Sequence, residues 1–395
     1  MRKIEVAERR ARLARRHRLA PEFRAGDVVE AARSVVCLHA TDPATVFLSA
    51  WARVEGMEVS DLERALYSDR TLVKHLAMRR TLFAFPRETL AAAQAAASNR
   101  VADVERRRLI RNVEDAGLQS DGERWLAEAG EQVLKLLADG RLATSSELRD
   151  ELPSLEGSIV YGEGKSWGGR MAVGPRVLTT LSAAGHVVRA TNDGGWTTSR
   201  PRWAATASWL GEGIDACSET DGTAGMVERW LRAFGPGTAA DIKWWLGSTV
   251  TAVRRALADL DAVEVDLDGA TGYVLPDDLD VAEPVEPWAA LLPPLDPTTM
   301  GWAERDWYLG PYKEHLFDTS GNAGPTAWWE GRIVGGWRQT DAGEVVLQLL
   351  EDVGSEGRRA LEQEAARLTD WLNGTRAVPR FPSPLSRVLD DGPER

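Results

Sequence analysis

The first ninety residues alternate between two kinds of pattern. MRKIEVAERRARLARRHRLA has the spacing of a helix broken at Pro21, and AGDVVEAARSVVCL that of a second helix, with Asp27 as its cap. A break at HAT follows. Asp42 is then a natural N-cap and Pro43 suits the first helical position, so a third helix is expected through PATVFLSAWARV. SDLERALYSDR is a fourth, with Ser60 at the cap and Glu63 three residues on. LVKHLAMRRTLFAFP reads as a short helix passing into a strand, in which Thr81, Phe83 and Phe85 alternate with Leu82 and Ala84 until Pro86 ends the run.

The same order of elements returns twice, without similarity of residues. ERWLAEAGEQVLKLLADG, TSSELRDEL and VGPRVLTTLSAAG are helices, the last two separated by an irregular glycine-rich insertion, GSIVYGEGKSWGGRM. HVVRATNDGGWTTSRPRW then reads as strand, turn, strand. GMVERWLRAFG, GTAADIKWWLG and STVTAVRRALADL are helices again, and VEVDLDGATGYVLP is a hairpin with Asp268-Gly269 at its turn. Helices followed by a hairpin are the winged-helix variant of the helix-turn-helix. After the acidic, proline-rich linker PDDLDVAEPVEPW, the segments TAWWEGRIVGGWRQ and EVVLQLLED read as strands, with turns at Glu330-Gly331 and Ala342-Gly343. A final helix over GSEGRRALEQEAARLTDWLNG has Leu361, Ala365, Leu368 and Leu372 on one face. The expected organisation is mainly α with β (α+β): three tandem winged helices at 1–115, 116–215 and 220–285, then a β-rich domain at 286–395.

Composition narrows the class. A chain of 395 residues with 43% hydrophobic and 27% charged residues fits a soluble multi-domain protein. The charged N-terminus has no apolar run that would serve as a secretory signal, no stretch is apolar enough to span a bilayer, and Cys37 and Cys217 make no disulfide framework, so a cytoplasmic setting is expected. The net charge of −12 argues against indiscriminate coating of nucleic acid. Basic residues nevertheless cluster between Arg9 and Arg18, at Arg79-Arg80, between Arg106 and Arg111, and at Arg200 and Arg202.

Candidate chemistry is sparse. No GxxxxGK[ST] loop or GxSxG elbow occurs, and the five histidines are not at ligand spacing, so neither metal nor cofactor is expected. His39 and Thr41, one residue apart in an extended break, can point to the same side at the N-terminus of the Asp42-capped helix, where one water could be held. The alternative is that Thr41 helps to cap the helix and His39 packs over it. Of the sixteen tryptophans, Trp51, Trp167 and Trp302 are the candidates for stacking on bases.

LHATDPATVFLSAWARV and MRRTLFAFPRETL, followed by LLPPLDPTTMGW, LFD and GPTAWWEGRIVGGW, resemble in order the winged-helix DNA-binding family that contains the AlkZ/YcaQ-type DNA glycosylases. The resemblance implies a C-shaped clamp around duplex DNA and hydrolysis of the N-glycosidic bond of N7-alkylated purines, interstrand crosslinks among them. It also implies a Gln-x-Gln or Gln-x-Asp motif that places the water. Those positions correspond to His39 and Thr41, so the chain departs from the family where the chemistry lies. His39 would hold water, and would serve as a base if its pKa stayed near neutrality.

A monofunctional glycosylase is therefore the expected function, with His39 and Thr41 as the catalytic pair. Arg79, Arg80 and Thr81 on the first ribbon are the expected DNA contacts, together with Trp51, Arg176 on the second recognition helix and Arg200. Asp42, Pro43 and Arg53 would hold the loop, Arg53 by pairing with Asp42 or another acid. The expected partner is double-stranded DNA, with no membrane, and tandem modules in one chain predict a monomer. The alternative is a non-catalytic winged-helix protein, either a transcriptional regulator or a lesion sensor.

Overall fold

The computed structural model describes residues 1–161, 168–380 and 382–388. The chain is a mixed α and β protein in which one order of elements recurs three times. Helix Val28–Ser34, strand Leu38–His39, helix Pro43–Trp51, helix Val59–Glu63 and the hairpin Leu72–Ala77/Thr81–Pro86 form the first unit. Its short strand pairs antiparallel with the second hairpin strand, Leu38 opposite Ala84 and His39 opposite Phe83. The third unit repeats this with helix Glu219–Phe234, strand Gly237–Thr238, helices Ala239–Leu246 and Val250–Asp259, and the hairpin Val263–Leu267/Ala270–Val274. In the second unit the helices are Gly122–Leu136, Ser145–Glu151 and Val173–Ala183, the hairpin is Val187–Asn192/Pro201–Ala205, and the short strand is reduced to a bridge between Ala143 and Trp203.

Local rules explain most boundaries. Asp27, Asp42, Asp121, Thr144, Thr238 and Thr249 each accept a backbone N–H at the start of a helix, which satisfies donors the helix cannot. Asp268 and Gly269 both take positive φ at the turn of the third hairpin, as a two-residue hairpin loop requires.

Four expectations need correction. The fourth helix starts at Val59 with Glu58 as its N-cap, whose N–H donates to Asp61 at 3.0 Å, so Ser60 lies inside the helix and does not cap it. LVKHLA is a strand, not a helix: its residues pair with the whole of Thr81–Pro86, so cross-strand pairing outweighs the helical spacing of the isolated segment. The second helix stops at Ser34, short of Cys37, because Val36 turns to φ 67°. The insertion between the second unit's helices contains a small antiparallel hairpin, Ser158–Tyr161 with Gly169–Ala172.

The opening residues do not join the unit that follows them in sequence. Arg2 and Lys3 pair in parallel with Val265 and Asp266 of the third hairpin, and Arg12 of helix Val6–Arg16 bonds to Asp278. The C-terminal part is a four-stranded antiparallel sheet of Ala289–Leu292, Thr326–Trp329, Arg332–Gln339 and Val345–Leu349. Helix Gly354–Leu372 covers it with Leu361, Ala365, Leu368 and Leu372, all buried, as their spacing predicts. One continuous core joins the first and third units to this sheet, while most of the second unit surrounds a core of its own.

Candidate active site

The motif segment is held from three sides. His39 ends the short strand, and the ladder continues past it: Ala40 N–H donates to the Leu82 carbonyl at 2.9 Å, and Leu82 N–H donates to the Thr41 hydroxyl at 3.3 Å. The Thr41 hydroxyl is thus tied to the hairpin. Asp42 is buried and uses both carboxylate oxygens, one accepting Ala44 N–H at 3.1 Å and the other Arg380 N–H at 2.9 Å. Pro43 takes the first helical position, where its missing N–H costs nothing.

The next support lies over 240 residues away in sequence. Arg53 on the motif helix is fully buried and meets Asp296 of the LDPTT segment in a two-pronged ion pair, at 2.7 and 2.9 Å. Ser49 Oγ and Thr298 N–H also donate to Asp296, while Arg53 donates to the Thr298 hydroxyl and the Ser49 carbonyl. Burial by itself would raise the Asp296 carboxyl, but the charge and hydrogen bonds of Arg53, with the bonds from Ser49 and Thr298, hold it below its usual value. Arg53 is structural as expected; its acid is Asp296, because Asp42 is committed to the cap and to Arg380.

These segments enclose a cavity of ≈ 490 Å³. His39, Phe83 and Thr81 come from the first ribbon, Arg79 from its turn, Trp244 and Trp245 from the third unit, and Arg305, Asp306 and Lys313 from the C-terminal part. Arg79 and Arg305 lie on Trp244, 4.0 and 4.9 Å from its ring centre. Among the described residues no carboxylate pairs with Arg79, Arg305 or Lys313. Desolvation, then repulsion from Arg305, lowers Arg79 to a pKa of about 10, so Arg79 stays charged at neutral pH. Backbone strain gathers at the same place. Val36, Arg79, Arg80 and Leu295 have φ of 67°, 52°, 60° and 60°, a region that side chains with a Cβ rarely occupy and that clusters at functional sites.

His39 is nearly buried, packed edge-on against Phe83, and faces this cavity. Burial first and Arg79 second push its pKa down to about 3, so the ring is neutral at physiological pH. Its Nδ1 accepts Thr41 N–H at 3.4 Å, a long bond that nevertheless places the ring proton on Nε2. The imidazole therefore presents a donor where the sequence suggested a base.

The remaining expected residues separate. Arg80 is exposed and bonds Glu105 at 2.8 Å, and Arg200 is exposed on the second hairpin loop. Trp51 is no stacking surface: it is buried on the core face of the motif helix, beneath Arg367. Arg176 is likewise unavailable, buried and turned inward to Glu105 at 3.1 Å. Trp302 is buried against Phe234 and Trp307, and Trp167 lies outside the described residues. Trp244, Arg305, Lys313 and Arg380 were not anticipated, since nothing in their local spacing separates them from ordinary surface or core positions. Among the described residues no group of three His, Cys, Asp or Glu side chains could hold a metal ion, and no helix is long and apolar enough to cross a membrane.

A family model for AlkZ-like DNA glycosylases matches residues 32–371, a span that holds the motif loop, the ribbon and the LDPTT segment. The chain belongs to that family. Among solved structures, the DNA glycosylase AlkZ of Streptomyces sahachiroi superimposes with a TM-score of 0.74 at 20% identity, over 96% of this chain and 99% of that one. At that identity the likeness establishes the shared AlkZ-like fold. A search of curated protein sequences returns no match. The AlkZ-like match ends at residue 371, short of Arg380, whose N–H meets Asp42.

Proposed function

We propose that this chain is a monofunctional DNA glycosylase that holds duplex DNA and releases N7-alkylated purines. The observation that carries the reading is one cavity lined by a neutral His39 and by three cations, Arg79, Arg305 and Lys313, that pair with no carboxylate among the described residues. In a chain with net charge −12, cations left unpaired beside a strained turn suit an anionic ligand, and DNA phosphates supply it. The three repeats of helix, strand, helix, helix and hairpin support tandem winged helices arranged as a clamp on duplex DNA, acting as a monomer.

The chemistry follows from what the residues can do. N7-alkylation makes the purine cationic, so the C1′–N9 bond breaks with its electron pair passing to the base. An oxocarbenium-like sugar remains, and water adds to C1′ and loses a proton to solvent. No strong base is required. His39 Nε2–H donates to the oxygen of that water and fixes its place, while Thr41 acts through its backbone N–H, which sets the ring's tautomer. The phosphates drawn in by Arg79, Arg305 and Lys313 face the developing positive charge of the sugar.

The test is single-turnover base release from a duplex carrying an N7-alkylguanine, comparing wild type with His39→Ala and measuring DNA affinity in parallel. The proposal expects release by wild type, loss in the variant, and similar affinity in both. Binding without release from any of several alkylated duplexes would overturn it. A lesion sensor or transcriptional regulator would then be the better reading. One observation already favours that alternative: Thr41 does not line the cavity, and its hydroxyl accepts Leu82 N–H instead.

A further inference from the structure

Beyond the long C-terminal helix the chain turns at Asn373, in a left-handed conformation, and continues to residue 380 as a strap without helix or strand. Gln339, at the end of a sheet strand, fixes its course. The Gln339 side chain donates to the Thr375 carbonyl at 3.0 Å and accepts Ala377 N–H at 2.8 Å. The strap then reaches the motif loop. Arg380 N–H donates to Asp42 Oδ2 at 2.9 Å, and its guanidinium reaches the Thr41 carbonyl at 3.5 Å.

We propose that Arg380 is a positioning residue for the active site, clamping the His39–Asp42 loop from outside through its backbone N–H. The proposal rests on the glycosylase reading for its kinetic consequence, but its geometry stands apart from it. Asp42 is buried and has two oxygens to satisfy; Ala44 N–H serves one, and the only donor to the other among the described residues is Arg380 N–H. Withdrawing that donor leaves a buried carboxylate oxygen unpaired, and the loop must move to reach water. Thr41 lies between Asp42 and the His39 ring, and its N–H is the bond that holds Nδ1, so a shift of Asp42 passes directly to the imidazole. The strap lies past residue 371, where the family match ends, so this clamp is read from this chain's own contacts.

The proposal separates the two parts of one residue. Arg380→Pro removes the N–H, whereas Arg380→Ala keeps it and removes the guanidinium. In the full chain, Arg380→Pro should slow single-turnover base release by about tenfold or more, the scale of one hydrogen bond to a buried charge, while duplex affinity changes little. Arg380→Ala should retain most of the rate, and adding Arg380→Pro to Asp42→Asn should cost little beyond Asp42→Asn alone. A second readout needs no activity: the ¹⁵N resonances of the His39 ring should move in Arg380→Pro and stay in place in Arg380→Ala. If Arg380→Pro does not fold, Gln339→Ala, which releases the strap upstream, carries the same expectations. Wild-type release rate together with unshifted His39 resonances would overturn the clamp. An inactive wild type whose His39 resonances move in Arg380→Pro would overturn the glycosylase reading and leave the clamp standing.

Discussion

Arg53 and Asp296, 243 positions apart, form a fully buried, two-pronged ion pair that fastens the motif helix to the LDPTT segment. The pair is why the motif loop and the wall carrying Arg305 and Lys313 face one cavity. It extends through Thr298 to the buried His17, whose Nδ1 lies 2.8 Å from the Thr298 hydroxyl. Arg53→Met should therefore leave an unpaired buried carboxylate and destabilise the fold by about 3–5 kcal/mol, measured as a shift of the denaturant midpoint. A loss under 1 kcal/mol on the same order-of-magnitude scale would mean that the pair adds little beyond its packing.

The ionisation of His39 predicts an unusual rate profile. With its pKa depressed to about 3 and Nδ1 engaged by Thr41, the ring stays a neutral donor throughout the usual assay range. Base release should show no titration step near the ordinary histidine value of about 6.5. A sigmoidal fall through that value in wild type would show His39 working as a base. His39→Gln, which keeps a side-chain donor, should retain more activity than His39→Ala.

Acid stability follows from three histidines together. Burial depresses His17 and His39 to about 3 and His75 to about 4. Between these values and about 6.5 the unfolded chain binds protons that the folded chain does not, so stability must fall as pH drops through that window. Each histidine contributes a slope of up to about 1.4 kcal/mol per pH unit there. Urea midpoints from pH 7 to pH 4 should decline from about pH 6.5 downward, before most carboxylates titrate, and His75→Gln should make the decline shallower.

Salt dependence tests the cavity's cations. If Arg79 and Arg305 each neutralise a phosphate, replacing both by alanine should flatten the plot of log affinity against log salt by about 1.8. Arg176→Ala, at a residue turned inward to Glu105, should leave that slope unchanged. An unaltered slope in the double variant would take the cavity out of the DNA interface.

Much of this molecule is local, and so was legible in the sequence. Asp42 and Pro43 begin a helix because a cap and a fixed φ act within three residues, and Leu361 to Leu372 face the core because helical spacing leaves them no other side. The thrice-repeated order of helices and hairpins could be seen for the same reason. What the sequence could not supply was any contact whose partner lies far along the chain. LVKHLA looks helical until Thr81–Pro86 pairs with it; Trp51 and Arg176 look available until the core and Glu105 enclose them. The histidine of the motif was visible, but its state was not. Whether His39 is an acid, a base or a neutral donor depends on its desolvation and on Arg79 and Asp296, and only the folded chain brings those charges to the ring.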